Sequence, residues 1–222
     1  MRHFEQELDQ LRTTLIRMAS LVDEQIDRGV KAILTSDIAL AKDVIERDRE
    51  VDLFDNEIDH LCMRIFALTQ PVAIDLRLLV AALKINNELE RIGDIAVNLA
   101  ERVNALAPHK KFVQKTSIKE MTDAARTMVK DAIDAFVNSD ANLAQKVLEA
   151  DDQIDDLDAV NFKNMIALMQ QSPENIMPGS HVMIVSRHIE RLADHATNIA
   201  EGVIFIINAR IIKHHADEHR SG

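Results

Sequence analysis

The segment Glu-Arg-Ile-Gly-Asp-Ile-Ala-Val-Asn-Leu-Ala-Glu at residues 90–101 returns 100 residues later as Glu-Arg-Leu-Ala-Asp-His-Ala-Thr-Asn-Ile-Ala-Glu at residues 190–201, identical at seven of twelve positions. Self-similarity at that distance restricts the chain to folds that can be built twice. A second set of matches lies 103 residues apart: Ser36, Asp37, Leu40 and Ala41 with Ser139, Asp140, Leu143 and Ala144, then Asp48, Asp52 and Asp55 with Asp151, Asp155 and Asp158. The drop in offset from 103 to 100 puts a three-residue length difference into one loop. The chain reads as a tandem duplication with its seam near residues 108–116, giving halves 1–109 and 110–222.

Composition says what each half is made of. Among 222 residues, 47% are hydrophobic, yet aromatics are 3%, all Phe, with 5 Gly and 4 Pro. Strands favour aromatic residues and need Gly/Pro turns between them, so sandwiches, barrels and doubly wound sheets are excluded. All four prolines fall at breaks: Thr69-Gln70-Pro71, Ala107-Pro108, and Ser172-Pro173 through Pro178-Gly179. Further breaks are Thr35-Ser36-Asp37 and Asn138-Ser139-Asp140, and between them lie six apolar-periodic stretches of roughly 22 to 38 residues. The fourth opens with Ser117-Ile-Lys-Glu120, the pattern of a capping box. The expected fold is all-α: two tandem, pseudo-symmetric bundles, each of three long antiparallel helices, the longest spanning roughly 50 Å.

With 26 basic and 37 acidic residues the chain carries a net charge of −11, which repels nucleic acid and disfavours docking on anionic lipid. A cation or a basic protein surface is the better match. Cys62 is the single cysteine, which excludes an internal disulfide, fits a reducing cytoplasm and reads as a small core residue. The opening Met-Arg-His-Phe-Glu-Gln-Glu lacks the apolar centre of a signal peptide, and no apolar run approaches the ~20 residues of a transmembrane helix.

In the third helix, Ile85, Leu89, Ile92, Ala96, Leu99 and Val103 recur at spacings of three and four, a narrow core-facing seam. Val185, Ile189, Leu192, Ala196, Ile199 and Val203 repeat it in the sixth. Glu90, Asp94, Asn98 and Glu101 fall opposite that seam, as do Glu190, Asp194, Asn198 and Glu201. The second helix carries Asp48, Asp52, Asp55 and Asp59 on one side, and the fifth carries Asp151, Asp155 and Asp158. Like charges one turn apart cost about 0.2 to 0.5 kcal/mol per pair. Here the device recurs four times, as Asp48/Asp52, Glu90/Asp94, Asp151/Asp155 and Glu190/Asp194. Two such pairs on neighbouring helices could surround hard cations, with Asn98 and Asn198 extending each ladder. Spacing alone leaves open a solvated face whose acids pair with Arg91, Arg102, Arg187 and Arg191.

A carboxylate di-iron enzyme needs a Glu-x-x-His pair on each of two helices. Glu57 and His60 form one, but their counterparts are Val160 and Lys163. His181, His188 and His195 share a face of the sixth helix, where His195 adjoins the ladder and the other two read as packing or solvent residues. His214, His215 and His219 lie in a polar tail and read as adventitious metal binders. No P-loop, dinucleotide glycine pattern, nucleophile elbow or Cys/His pairing is present, so the sequence offers no catalytic apparatus.

Glu90 to Asp94 and Glu190 to Asp194, each inside a three-helix half, resemble the acidic signature of the PhoU family. So do His3-Phe4-Glu5-Gln6-Glu7-Leu8, Asp75-Leu76-Arg77 and the run from Asp194 to Glu201, and the resemblance covers nearly the whole chain. It implies a cytoplasmic, non-enzymatic regulator of phosphate uptake and phosphate-starvation signalling. The implied partners are the ATPase of the phosphate ABC transporter and a membrane sensor histidine kinase, with the protein itself a homodimer. It further implies multinuclear iron or zinc, with magnesium or manganese as alternatives. One site would be Asp48, Asp52, Glu90 and Asp94; the other would be Asp151, Asp155, Glu190 and Asp194. Ala193 stands where the first half has Gly93, Ile95 where the second has His195, and the second half has no Asp-Leu-Arg. A carboxylate-bridged metalloenzyme and a purely structural scaffold are the competing readings.

Overall fold

Leu11, Leu15, Met18, Val22 and Ile26 recur at three- and four-residue intervals and are all at most 1% exposed, which is how one face of a long helix is buried. The same logic builds every element of the chain. The computed structural model describes residues 2–72 and 74–208, and these contain helices and no strand. The six long helices are α1 (Arg2–Thr35), α2 (Ile38–Thr69), α3 (Ile74–Glu101), α4 (Ile118–Asn138), α5 (Ala141–Gln171) and α6 (Ile176–Asn208). Helices α1, α2 and α3 pack mutually, as do α4, α5 and α6. The all-α architecture of two three-helix bundles is therefore the one expected.

Equivalent turns are built alike. Ser36 (φ 63°) and Ser139 (φ 52°) adopt left-handed backbone conformations that end α1 and α4. The next residues, Asp37 and Asp140, cap α2 and α5: Asp37 Oδ1 accepts from the Leu40 amide at 2.9 Å, and Asp140 Oδ1 accepts from those of Asn142 and Leu143 at 2.9 and 3.0 Å. An aspartate N-cap stabilises a helix by about 1 kcal/mol.

Three local expectations are revised. Ser117 stands at the N-cap of α4, but its side chain accepts no capping hydrogen bond; its backbone (φ −84°, ψ 13°) is not the extended one a capping box requires. Pro178 lies inside the first turn of α6 instead of ending a break, since the first-turn amides lack intrahelical acceptors that proline would deprive. The break expected at Ala107-Pro108 begins earlier, at the end of α3, and short helical turns at Val103–Leu106, Ala107–His109 and Lys110–Val113 carry the chain between halves.

The halves share one continuous apolar core. They meet chiefly through α3 against α6 and secondarily through α1 against α4. Arg77 Nε donates to the Ile206 carbonyl at 3.4 Å, and the Lys84 ammonium sits 5.9 Å from the centre of the Phe205 ring. Glu88 reaches His195 at 2.6 Å, so numbering falls along α6 as it rises along α3 and the two helices are antiparallel. The predicted seams of both helices are buried throughout. Helix α3 also buries Leu78, Ala81, Ala82 and Ile95, because α6 covers a second face.

Candidate metal centre

The acidic ladders face each other in pairs, α2 against α3 and α5 against α6. Helices α2 and α3 come close at Gly93, where an added Cβ would stand 3.1 Å from Val51 Cγ1. Gly93 lies between Glu90 and Asp94, so this approach brings their carboxylates alongside those of α2.

The electrostatics record that proximity. Burial, then the charges of Asp52 and Asp94, push the Asp48 carboxyl above its ordinary range. Glu90 is pushed up by burial, Asp94, Asp55 and Asp52, opposed by the charge of Arg91. The Arg91 Nε is itself bonded to Asn87 Oδ1 at 3.0 Å. In the second half Glu190 is raised by burial, Asp194, Asp155 and Asp158 and opposed by Arg187. The two ladders are not identical: Glu190 Oε1 accepts from Arg187 Nη1 at 3.0 Å, while its Oε2 is buried without a hydrogen-bond partner. Asp151 is 5% exposed, whereas its counterpart Asp48 is half-buried. Asp52, Asp94, Asp155 and Asp194 are exposed.

Two residues outside the predicted set organise the ladders. The Asn86 amide nitrogen lies 2.8 Å from Asp55 Oδ1, 3.1 Å from the Asp55 carbonyl and 3.3 Å from Asp59 Oδ1. Burial and Asp59 push the Asp55 carboxyl up, and the Asn86 donation opposes them. One hundred residues later, Ser186 Oγ donates to Asp158 Oδ1 at 2.6 Å and accepts from Asn161 Nδ2 at 3.1 Å. Both stand one turn before the signature glutamate of their half, a register visible in the repeat although the residue types differ.

Asn98 is half-buried on α3. Asn198, its counterpart, donates its amide to Glu88 Oε2 at 3.1 Å, across the boundary between halves. The same oxygen meets His195 Nδ1, and His195 Nε2 is buried without a partner. His188 is half-buried, and burial together with Arg102 and Arg191 holds its imidazole below the ordinary range. His181 also has a buried, unpartnered Nδ1. His188 and His195 thus face the contact between halves. Cys62 is fully buried, its thiol pushed up to about 12 by burial and by Asp59, in keeping with a core residue. His214, His215 and His219 lie outside the described residues.

The donor set is chemically suited to a hard cation: Asp48, Glu90 and Glu190 resist ionisation beside further carboxylates, and Glu190 keeps a buried carboxylate oxygen with no donor. Among the described residues, no three His, Cys, Asp or Glu side chains are gathered tightly enough about one point to enclose an ion. No described helix is long and apolar enough to cross a membrane.

Comparison with known proteins converges on one family. The family model described as PhoU domain matches residues 15–103 and again 118–203. A phosphate-specific transport system accessory protein PhoU homolog of Aquifex aeolicus is 38% identical over 208 residues, covering 94% of both chains. The homolog of Pseudomonas putida is 35% identical, covering 96% of this chain and 84% of the relative. Among solved structures, PhoU from Pseudomonas aeruginosa superposes with a TM-score of 0.86 at 33% identity, covering 93% of this chain and 100% of the other. The phosphate transport system regulatory protein PhoU from Streptococcus pneumoniae also gives 0.86, at 27% identity over 95% and 99%.

Proposed function

The chain belongs to the PhoU family, and from that premise we propose that it is a non-enzymatic accessory regulator of phosphate transport that holds cations on its paired carboxylate ladders. Relatives named as accessory or regulatory proteins support the first part. The second is carried by one observation: Asp48, Glu90 and Glu190, on three different helices, are each pushed up by burial and by facing carboxylates.

Asp48, Asp52, Glu90 and Asp94 would hold one centre and Asp151, Asp155, Glu190 and Asp194 the other, with iron or zinc as the first expectation and magnesium or manganese as alternatives. Asn98 and Asn198 stand one turn beyond each α3 and α6 pair. A bound cation supplies positive charge that offsets the repulsion within each ladder. Asn86 and Ser186 orient the outer aspartates from behind. The protein works in the cytoplasm as a homodimer, by contact with the ATPase of the phosphate transporter and a membrane sensor histidine kinase.

The test combines metal analysis of untagged protein, with and without Glu90→Gln plus Glu190→Gln, with deletion of the gene. The expected results are metal loss in the double variant and deregulation of phosphate-responsive genes in the deletion strain. Normal phosphate regulation after deletion would overturn the regulatory reading; unchanged metal content in the double variant would overturn the assignment of ligands.

A further inference from the structure

The groove between the first two helices of each bundle is filled in one half and open in the other. Between α1 and α2, Arg47 lies in the groove: Nη1 donates to Glu24 Oε1 at 2.8 Å and Nε to Glu50 Oε1 at 3.2 Å. The buried Gln25 donates to the Arg47 carbonyl at 3.2 Å, and Arg28 pairs with both Glu24 and Asp43. Helices α4 and α5 repeat this groove 103 residues later with other side chains: Ala150 for Arg47, Thr127 for Glu24, Gln153 for Glu50, and Asp131 and Lys146 for Arg28 and Asp43 with the charges exchanged. These same residues line a cavity of about 360 Å³, floored by Met128 and Val147. By position in the repeat, the cavity stands where an arginine lies in the other half.

We propose that this groove receives an arginine side chain from a protein partner. A guanidinium carries five donors in a planar fork on an apolar stem. The lining supplies the complement: the floor for the stem, and the Asp131 carboxylate, the Thr127 hydroxyl and the Gln153 carbonyl as acceptors, while Asp123 is held by Lys119. Lys119 and Lys146 offset the two acidic charges, so the match rests on the shape of the groove and on the free Asp131 acceptor, not on net charge. Where Arg47 meets two glutamates, an incoming arginine meets threonine and glutamine, so its hold is weaker and reversible. That suits an exchangeable contact between proteins. The site is independent of the carboxylate ladders, and its failure would leave the metal assignment standing.

The full-length chain, labelled with nitrogen-15, is titrated with N-acetyl-arginine amide, a probe that carries the guanidinium without terminal charges. Saturable shifts of the Asp131, Ala150 and Gln153 amides are expected. Asp131→Asn should weaken binding about fivefold, and the lysine analogue at equal ionic strength should bind about fivefold more weakly than the arginine probe. Ala150→Arg, which refills the groove as in the first half, should abolish the shifts while leaving the helical circular dichroism unchanged. Non-saturating shifts, equal binding of the lysine probe, or binding that survives in folded Ala150→Arg would each overturn the proposal. Should Ala150→Arg fail to fold, the Asp131→Asn and lysine arms still decide it. Free arginine carries an α-carboxylate and an α-ammonium that a side chain within a polypeptide lacks; tighter binding of free arginine than of the capped probe would mark a small-molecule site and overturn the assignment to a protein partner.

Discussion

Glu90 and Glu190 occupy the same place in the repeat, yet their neutralisation should affect stability differently. Glu90→Gln in chelator-treated protein removes a charge that faces Asp94 one turn away and Asp52 and Asp55 across the groove. The helical pair accounts for about 0.2 to 0.5 kcal/mol, and the cross-helix carboxylates, screened by the solvent that reaches this half-buried group, add a similar amount. The expected gain is about 0.5 to 1 kcal/mol, or a rise of about 1 to 4 °C in Tm for a chain of this length. Glu190→Gln gives the same relief but loses the Arg187 contact at 3.0 Å, in which Arg187 is 68% exposed. An exposed ion pair of that kind contributes about 0.2 to 1 kcal/mol, so Glu190→Gln should be close to neutral. Urea unfolding of both variants in the presence of chelator measures the contrast. A destabilised Glu90→Gln, or a larger gain from Glu190→Gln, would show that the first ladder is already neutralised within the protein and would remove the case for a cation there.

The Glu90→Gln gain should also depend on pH. Because the folded-state pKa of Glu90 is raised above the ordinary 4.5, its charged form weakens the fold above that raised value, and the penalty shrinks as pH falls through it and is gone below the ordinary one; the urea midpoints of variant and wild type should converge as pH is lowered from neutrality to below the ordinary carboxylate value. Asn86→Ala leaves Asp55 without its 2.8 Å donor in a site where Asn86 is 1% exposed, and should cost about 2 to 3 kcal/mol in urea unfolding. A loss near zero would mean that water replaces the amide. Gly202 lies within α6 and an added Cβ there meets nothing within 4 Å, so Gly202→Ala should stabilise by about 0.5 to 1 kcal/mol, read as a higher Tm. Arg126 pairs with Asp23 at 2.8 Å and Asp27 at 2.6 Å. Arg126→Asp should therefore destabilise by about 1 to 2 kcal/mol, and adding Asp23→Arg should recover most of it; no recovery would refute a direct pairing.

The fold was legible where one physical demand governs many residues. The seams of α3 and α6 and the breaks at Thr35-Ser36-Asp37 and Asn138-Ser139-Asp140 follow from periodicity and turn chemistry, and both occur as expected. The second buried face of α3 was not legible, because Leu78, Ala81, Ala82 and Ile95 lie off the three- and four-residue seam and their cover comes from the other half. Ladder placement was visible, but the support of Asp55 by Asn86 and of Asp158 by Ser186 was not: an amide and a hydroxyl perform the same task, and identity between halves is lost at those positions. The Glu88, His195 and Asn198 contact was hidden for a different reason. It joins unlike positions of the two halves, so no comparison of repeat with repeat reveals it.

Asp23 and Arg126 are counterparts in the repeat, 103 residues apart, and they bind each other. Had the two positions kept the same residue, the surface could have met an identical surface on any other copy. With an acid on one half and a base on the other, a first half facing another first half sets Asp23 against Asp23, and two second halves set Arg126 against Arg126. Only unlike halves fit. The tether between them keeps each half's complement at an effective concentration on the order of millimolar, far above that of a competing molecule. The chain thereby chooses itself as its own partner and leaves its remaining surfaces for others.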